Sequence, residues 1–110
     1  MARKHLQKRG YRILEKNFRT RLGEIDLVAR HGDSLVFVEV KTRRSGRYGS
    51  PGLSITKKKQ QKLSVTALSY LKQTRQTEAK ARFDVVLIQP GSNGTPEIKT
   101  IQNAFPLCYG

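Results

Sequence analysis

Residues Ser34–Lys41, S-L-V-F-V-E-V-K, decide the fold. Strong strand formers run without interruption into Glu39 and Lys41, so a carboxylate and an ammonium group end a segment that otherwise has the composition of a buried strand. Because side chains alternate across a strand, we expect Glu39 and Lys41 on one face and Val40 on the other. Charges are costly to bury, so their position at the end of a core strand indicates either a functional site or an ion pair.

The residues just before this strand carry two further acids. Glu24 and Asp26 share one face of a predicted strand, Glu24–Arg30. His31-Gly32-Asp33 is typical of a turn, and we expect it to join that strand to Ser34–Thr42 as an antiparallel hairpin. The hairpin would bring three carboxylates and one lysine together.

The remaining periodicity predicts an α/β protein whose central mixed sheet is flanked by helices. A strand-helix-strand unit forces a parallel pair, while the hairpin is antiparallel. Thr56 is the expected N-cap of the second helix. We expect a single domain over residues 1–110, with a mobile basic loop over residues 42–56. The predicted elements are the helix Ala2–Arg9, the strands Tyr11–Phe18, Glu24–Arg30 and Ser34–Thr42, the helix Lys57–Gln73, and the strands Phe83–Gln89 and Glu97–Asn103, the last at an edge.

The charge distribution favours a polyanionic partner. The net charge is +14, from 22 Lys and Arg against 8 Asp and Glu, and no acidic residue occurs from Val40 to Thr77. One cysteine and two histidines make a zinc site improbable, and without a signal-peptide or membrane-span pattern we expect a cytoplasmic protein with no membrane partner. The cations of the acid-free segment are Lys41, Arg43, Arg44, Arg47, Lys57, Lys58, Lys59, Lys62, Lys72 and Arg75.

Three lysines open the predicted second helix, where the helix dipole favours anions. A phosphate bound there would remove this conflict and also accept from the free backbone amides, although a solvated lysine run is the simpler alternative. The predicted nucleic-acid-binding residues are Arg43, Arg44, Arg47, Lys57, Lys58, Lys59 and Lys62.

An acidic cluster beside a basic segment suits a metal-dependent enzyme that acts on phosphodiesters. Asp26 and Glu39 are predicted metal ligands, and the Val40 carbonyl is a third candidate oxygen. Lys41 would contact the attacking water or the scissile phosphate, and Glu24 is a candidate outer ligand or a partner for Lys41. Mg²⁺ or Mn²⁺ is expected because the ligands are few. Ordinary cross-strand ion pairs on a solvated face are the alternative.

The sequence also carries a family signature, made of seven short stretches. The stretches are G-E-I-D-L-V-A at residues 23–29, L-V-F-V-E-V-K-T-R at residues 35–43, Y-G-S-P at residues 48–51, I-T at residues 55–56, K-Q at residues 59–60, Y-L at residues 70–71 and R-F-D-V-V at residues 82–86. Together, these stretches closely resemble the bacterial YraN-like family of predicted endonucleases, which is related to archaeal Holliday junction resolvases within the PD-(D/E)xK nuclease superfamily. The resemblance implies a restriction-endonuclease-like fold and metal-dependent hydrolysis.

By this resemblance, Asp26 takes the first acidic position of the motif, and Glu39 and Lys41 take its E-x-K. Gln60 takes a helix position that approaches the site in several relatives. Such relatives usually carry an acid on the first helix, upstream of the segment G-Y-R-I-L, and the chain starts too late to include it. We therefore expect a truncated first helix.

The leading hypothesis is an endonuclease that hydrolyses DNA, with branched or structured DNA as one candidate substrate and a homodimer as one candidate assembly. A nucleic-acid-binding module that keeps the fold but cleaves nothing is the alternative. An RNA-associated or ribosome-associated factor would explain the positive charge equally well but not the acidic cluster. Two other polar residues are assigned structural roles: His31 at the hairpin tip, and Asp84 as a buried acid paired with a lysine or arginine.

Overall fold

The computed structural model describes residues 1–42 and 55–107. Most of the predicted basic loop and Cys108 lie outside these residues. The second helix and the third strand have the predicted bounds, whereas the fourth and fifth strands are longer than predicted at both ends. The elements are α1 (Ala2–Lys8), β1 (Arg12–Arg19), β2 (Glu24–His31), β3 (Ser34–Thr42), α2 (Lys57–Gln73), β4 (Ala81–Pro90) and β5 (Pro96–Phe105).

The five strands form one mixed sheet in the order β1-β2-β3-β4-β5. Strands β3 and β4 are parallel, because the chain crosses over through α2 between them, and the other neighbouring pairs are antiparallel. The predicted α/β class with a mixed sheet flanked by helices is therefore confirmed, and the architecture is compatible with a restriction-endonuclease-like fold. In the described segments no helix has the length and apolar character needed to span a bilayer.

The two helices cover opposite faces of the sheet. On one face, α2 packs over the larger apolar cluster, which includes Phe37, Phe83 and Tyr70. On the other face, Leu6 of α1 packs with Val36, Val38 and other residues of the smaller cluster. Because Phe37 faces α2, strand alternation places Glu39 and Lys41 on the α2 side as well.

Strand β2 departs from the predicted alternation. Ile25 and Val28 pack on the α2 side, whereas Leu27 and Ala29 pack on the α1 side, so Ile25 does not share a face with Leu27 as strict alternation requires. The physical reason is local pairing. The register of β2 with β3 ends at Leu27, and Ile25 lies opposite Phe18 of β1. The alternation therefore slips by one residue next to Asp26.

Helix α2 is held at its start by a cap and at its middle by the β1–β2 turn. Thr56 accepts a hydrogen bond from Lys59 N at 3.1 Å, which confirms the predicted N-cap. A Cβ added at Gly23 would lie 2.9 Å from Thr66 Oγ1, so the turn packs directly against α2. Close packing at this glycine fixes the middle of α2 relative to β2.

The end of the sheet that carries the β2–β3 turn is held by a buried polar network around Asp84. The fully buried Asp84 carboxylate accepts from Tyr11 Oη at 2.6 Å, from Arg82 Nε at 2.9 Å and from the Asn103 amide at 2.9 Å. His31 stacks on Tyr11 with ring centroids 4.1 Å apart. The structural role predicted for Asp84, paired with an arginine, is confirmed, and His31 belongs to the same network.

Candidate metal centre

The candidate site forms where β2 parts from β3. Their register runs from the pair His31–Ser34 to the pair Leu27–Val38. One residue beyond, Asp26 Oδ2 accepts a hydrogen bond from the Val40 amide at 2.7 Å. A side chain thus replaces the next backbone contact, and the strands diverge around it. We call this region, made of Asp26, Glu39 and Val40, the fork.

The backbone of Val40 faces the fork. Because the N–H and C=O of one strand residue point to the same strand edge, the amide bonded to Asp26 places the Val40 carbonyl on that edge too. Its side chain packs toward the apolar cluster under α1. The predicted third oxygen ligand therefore lies on the same side of β3 as the Asp26 carboxylate.

Glu39 brings the second carboxylate from the α2 side. Its side chain is only 8% exposed, and its carboxyl lies within hydrogen-bonding reach of the Asp26 carboxyl. Lys59 of α2 places Nζ 2.9 Å from Glu39 Oε2. This approach lies outside hydrogen-bond geometry, so among the residues that the structure describes Oε2 is a buried oxygen without a hydrogen-bond partner. Such an oxygen is costly in a folded protein, and its ion pair with Lys59 offsets only part of that cost.

The same surroundings change the protonation of Glu39. Burial, and then hydrogen bonding with the Asp26 carboxyl, raise the pKa of Glu39 from 4.5 to about 7, although Lys59 opposes the shift. Beside the Asp26 carboxyl, the Glu39 carboxyl therefore favours its protonated form. A divalent cation would remove the repulsion between the two carboxylates, which makes it a competitor for that proton.

The fork fits a hard divalent cation. It offers two carboxylates and one carbonyl, and Mg²⁺ is usually held by one or two carboxylates with water and substrate phosphate completing its octahedron. Within residues 1–42 and 55–107, no group of three or more His, Cys, Asp or Glu side chains is arranged to hold a metal. A cation at the fork would therefore have two carboxylates and the Val40 carbonyl as its candidate protein ligands.

Two other predicted site residues, Lys41 and Gln60, lie on β3 and α2 next to the residues of the fork. Lys41 follows Glu39 on the α2 face of β3 and pairs in register with Leu87 of β4. Gln60 lies in the first turn of α2, next to Lys59, and its amide nitrogen donates to the Ile55 carbonyl at 3.0 Å. This hydrogen bond stabilises the segment that precedes α2.

Glu24, predicted as an outer ligand or a partner for Lys41, forms an ion pair with Arg19 instead. Its carboxylate lies 3.3 Å from Arg19 Nε across the β1–β2 pair, and both side chains are largely exposed. The partner is therefore an arginine of the neighbouring strand rather than Lys41.

The predicted nucleic-acid-binding residues divide into two groups. Lys57, Lys58 and Lys62 are exposed on the first turns of α2. Arg43, Arg44 and Arg47 lie outside the described residues.

Lys59 is the residue whose place the sequence did not indicate. Its position in a run of three lysines predicted a phosphate contact, but its ammonium lies against Glu39. The capping bond from Lys59 N to Thr56 fixes the rotation of the helix and so selects which lysine of the run faces the fork. The only sequence signal was the Thr56 cap, which sets the helical phase.

Comparison with known proteins supplies the family. The model of the family described as "Uncharacterised protein family UPF0102" matches residues 1–88, which include the whole fork and Lys59. This chain belongs to that family. A UPF0102 protein of Geobacter metallireducens is 52% identical over 109 residues, covering 99% of this chain and 88% of its own length. Another, from Syntrophus aciditrophicus, is 49% identical over 110 residues, covering 100% and 86%.

Membership in UPF0102 confirms the resemblance to the YraN-like family. Among solved structures, SfsA of Pyrococcus furiosus, in complex with Ca²⁺, is similar with a TM-score of 0.42 and 15% identity. The similarity covers 91% of this chain and 58% of SfsA.

Proposed function

We propose that this UPF0102 protein is a Mg²⁺- or Mn²⁺-dependent endonuclease that hydrolyses DNA phosphodiesters, with branched or structured DNA as its substrate. The observation that carries the proposal is the fork itself. Asp26 and Glu39 bring two interacting carboxyl groups together beside the lysine-rich start of α2, and a buried oxygen of Glu39 pairs with Lys59 outside hydrogen-bond geometry.

Each residue of the fork would have a defined part. Asp26 and Glu39 would hold the cation, with the Val40 carbonyl as a third ligand. When bound, the cation supplies Lewis-acid chemistry, which polarises the phosphate and activates water. Lys41, on the same face of β3 as Glu39, would direct its ammonium group to the attacking water or to the charge that develops on the phosphate. Gln60, on the first turn of α2, would help to position the attacking water or the phosphate.

The basic residues around the fork would hold the DNA backbone. Lys57, Lys58 and Lys62 are exposed on the first turns of α2, and at the N-terminus of a helix free amides add to the attraction for phosphate. Arg43, Arg44 and Arg47, which lie between β3 and α2 in the sequence, are further cations proposed to contact DNA phosphates. This binding would be insensitive to sequence and would weaken as salt rises.

One observation favours the alternative of a binding module without cleavage. Lys59 already lies against Glu39, so part of the carboxylate charge is balanced by the protein itself. In that reading the fork is a buried ion pair that holds α2 on the sheet. Nucleic acid would then bind the lysine-rich surface without a cation.

A cleavage assay separates the two functions. Duplex, single-stranded and four-way-junction DNA are incubated with the protein and Mg²⁺ or Mn²⁺, and products are resolved by electrophoresis. We expect cleavage that needs the cation and is lost in Asp26→Asn and Lys41→Ala but kept in Asp33→Asn, since Asp33 is exposed on the β2–β3 turn. No cleavage of any substrate, together with unchanged DNA affinity in all variants, would support the binding module instead.

A further inference from the structure

The contact between Lys59 and Glu39 has a consequence for how the fork takes up a cation. Lys59 Nζ lies 2.9 Å from Oε2, the oxygen that has no hydrogen-bond partner among the described residues. An oxygen coordinating Mg²⁺ lies about 2.1 Å from the ion. An ammonium 2.9 Å from the same oxygen would lie next to the ion and repel it. Lys59 and a divalent cation at Glu39 are therefore competitors.

The two ends of Lys59 differ in freedom. Its backbone amide is held by the Thr56 cap, whereas its side chain is 50% exposed. Glu39, by contrast, is 8% exposed and stays in place. A lysine with four flexible methylene groups can leave the fork for solvent without any movement of α2.

We propose that Lys59 is a displaceable counter-ion: it balances the charge of Glu39 while the fork holds no cation, and a divalent cation expels it. The inference rests on the proposed function, since it takes the fork to be a metal site. It assigns a role to a residue for which only phosphate binding had been expected. Lys59 would lower the affinity for the cation, and the expelled ammonium would join Lys57 and Lys58 on the surface proposed to hold phosphate.

Neighbouring lysines provide the contrast that makes the proposal specific. Lys58 is on the same turn of α2, is exposed, and forms no ion pair with another described residue. Removing either lysine lowers the net charge by one. Only removal of Lys59 takes away the group that touches the candidate ligand oxygen.

The test is calorimetric titration of metal-free protein with Mn²⁺ at pH 8.5 for wild type, Lys59→Met, Lys59→Arg and Lys58→Met. We expect Lys59→Met to bind Mn²⁺ about five-fold more tightly, because a partly exposed ion pair contributes on the order of 1 kcal/mol, which corresponds to that factor. Lys59→Arg keeps the counter-ion and should bind like wild type, and Lys58→Met should change the affinity by less than about two-fold, as a distant exposed charge does. Circular dichroism of each variant checks the fold.

Each outcome bears on the proposal. An unchanged or weaker affinity in folded Lys59→Met, or an equal gain in Lys58→Met, would overturn the counter-ion role while leaving the proposed metal site in place. If wild-type protein binds no Mn²⁺, both the metal site and the inference fail. If Lys59→Met binds more tightly but wild type cleaves no DNA, the counter-ion role stands and the proposed nuclease activity fails.

Discussion

Replacing Glu39 by glutamine should stabilise the protein at neutral and alkaline pH in the absence of metal. The pKa of Glu39 is raised in the folded state, so its ionisation favours the unfolded chain. The stability that the protonated carboxyl supports is complete below pH 4.5 and is lost as the pH rises to about 7. Glutamine keeps the size and one hydrogen-bonding oxygen of that group but cannot ionise.

The size of the effect follows from the shift. The pKa rises from 4.5 to about 7, roughly 2.5 pH units, and each unit corresponds to 1.36 kcal/mol. The free energy of unfolding of Glu39→Gln, minus that of wild type, should therefore grow by about 3 kcal/mol between pH 4.5 and pH 8. A residue proposed to bind metal would thus be a source of instability, as is common for functional sites.

Urea unfolding followed by circular dichroism in EDTA, at pH values from 4.5 to 8.5, measures this difference. Glu24→Gln is the control, because it removes the same charge from an exposed carboxylate paired with Arg19, and its effect should stay below about 1 kcal/mol. A difference between Glu39→Gln and wild type that does not change with pH would refute the reasoning. Millimolar Mn²⁺ at pH 8 should stabilise wild type and not Glu39→Gln.

Three further predictions concern the framework of the site. Asp84→Ala removes the fully buried partner of Arg82, whose own side chain is 20% exposed, and should lower the free energy of unfolding by about 3 kcal/mol, measured by urea denaturation. Gly23→Ala places a Cβ 2.9 Å from Thr66 Oγ1 and should cost about 1–2 kcal/mol in thermal unfolding, and the double variant with Thr66→Ala should recover most of that loss. A loss in the double variant equal to the sum of the single losses would contradict the close approach. Thr56→Ala should cost about 1 kcal/mol through loss of the helix cap, and an unchanged melting temperature would contradict that role.

Much of the fold could be predicted because its signals are local. The apolar run of β3, the cap at Thr56 and the helical stripe of α2 each depend on neighbouring residues, and their bounds agree with the structure. The parallel pairing of β3 with β4 followed from the helix between them. The sequence did not predict the ends of β4 and β5, because the residues there have low strand propensity. They are stabilised by pairing between the two strands, as with Pro90 opposite Pro96.

The site could be predicted only in outline. Alternation along two strands correctly placed Asp26 near Glu39, but the hydrogen bond from the Val40 amide to Asp26 depends on where β2 leaves β3. At that point the alternation of side-chain burial along β2 breaks next to Asp26, and this break has no local sequence signal. The contact of Lys59 with Glu39 was missed for a similar reason. It depends on how α2 is rotated about its axis, and only one of several rotations points Lys59 toward Glu39.

The central claim is that the fork is a cation site, and calorimetric titration of metal-free protein with Mn²⁺ at pH 8 tests it most directly. The account predicts one bound Mn²⁺ per chain in wild type and in Glu24→Gln, and none in Asp26→Asn. Unchanged binding in Asp26→Asn, or no binding by wild type, would contradict it.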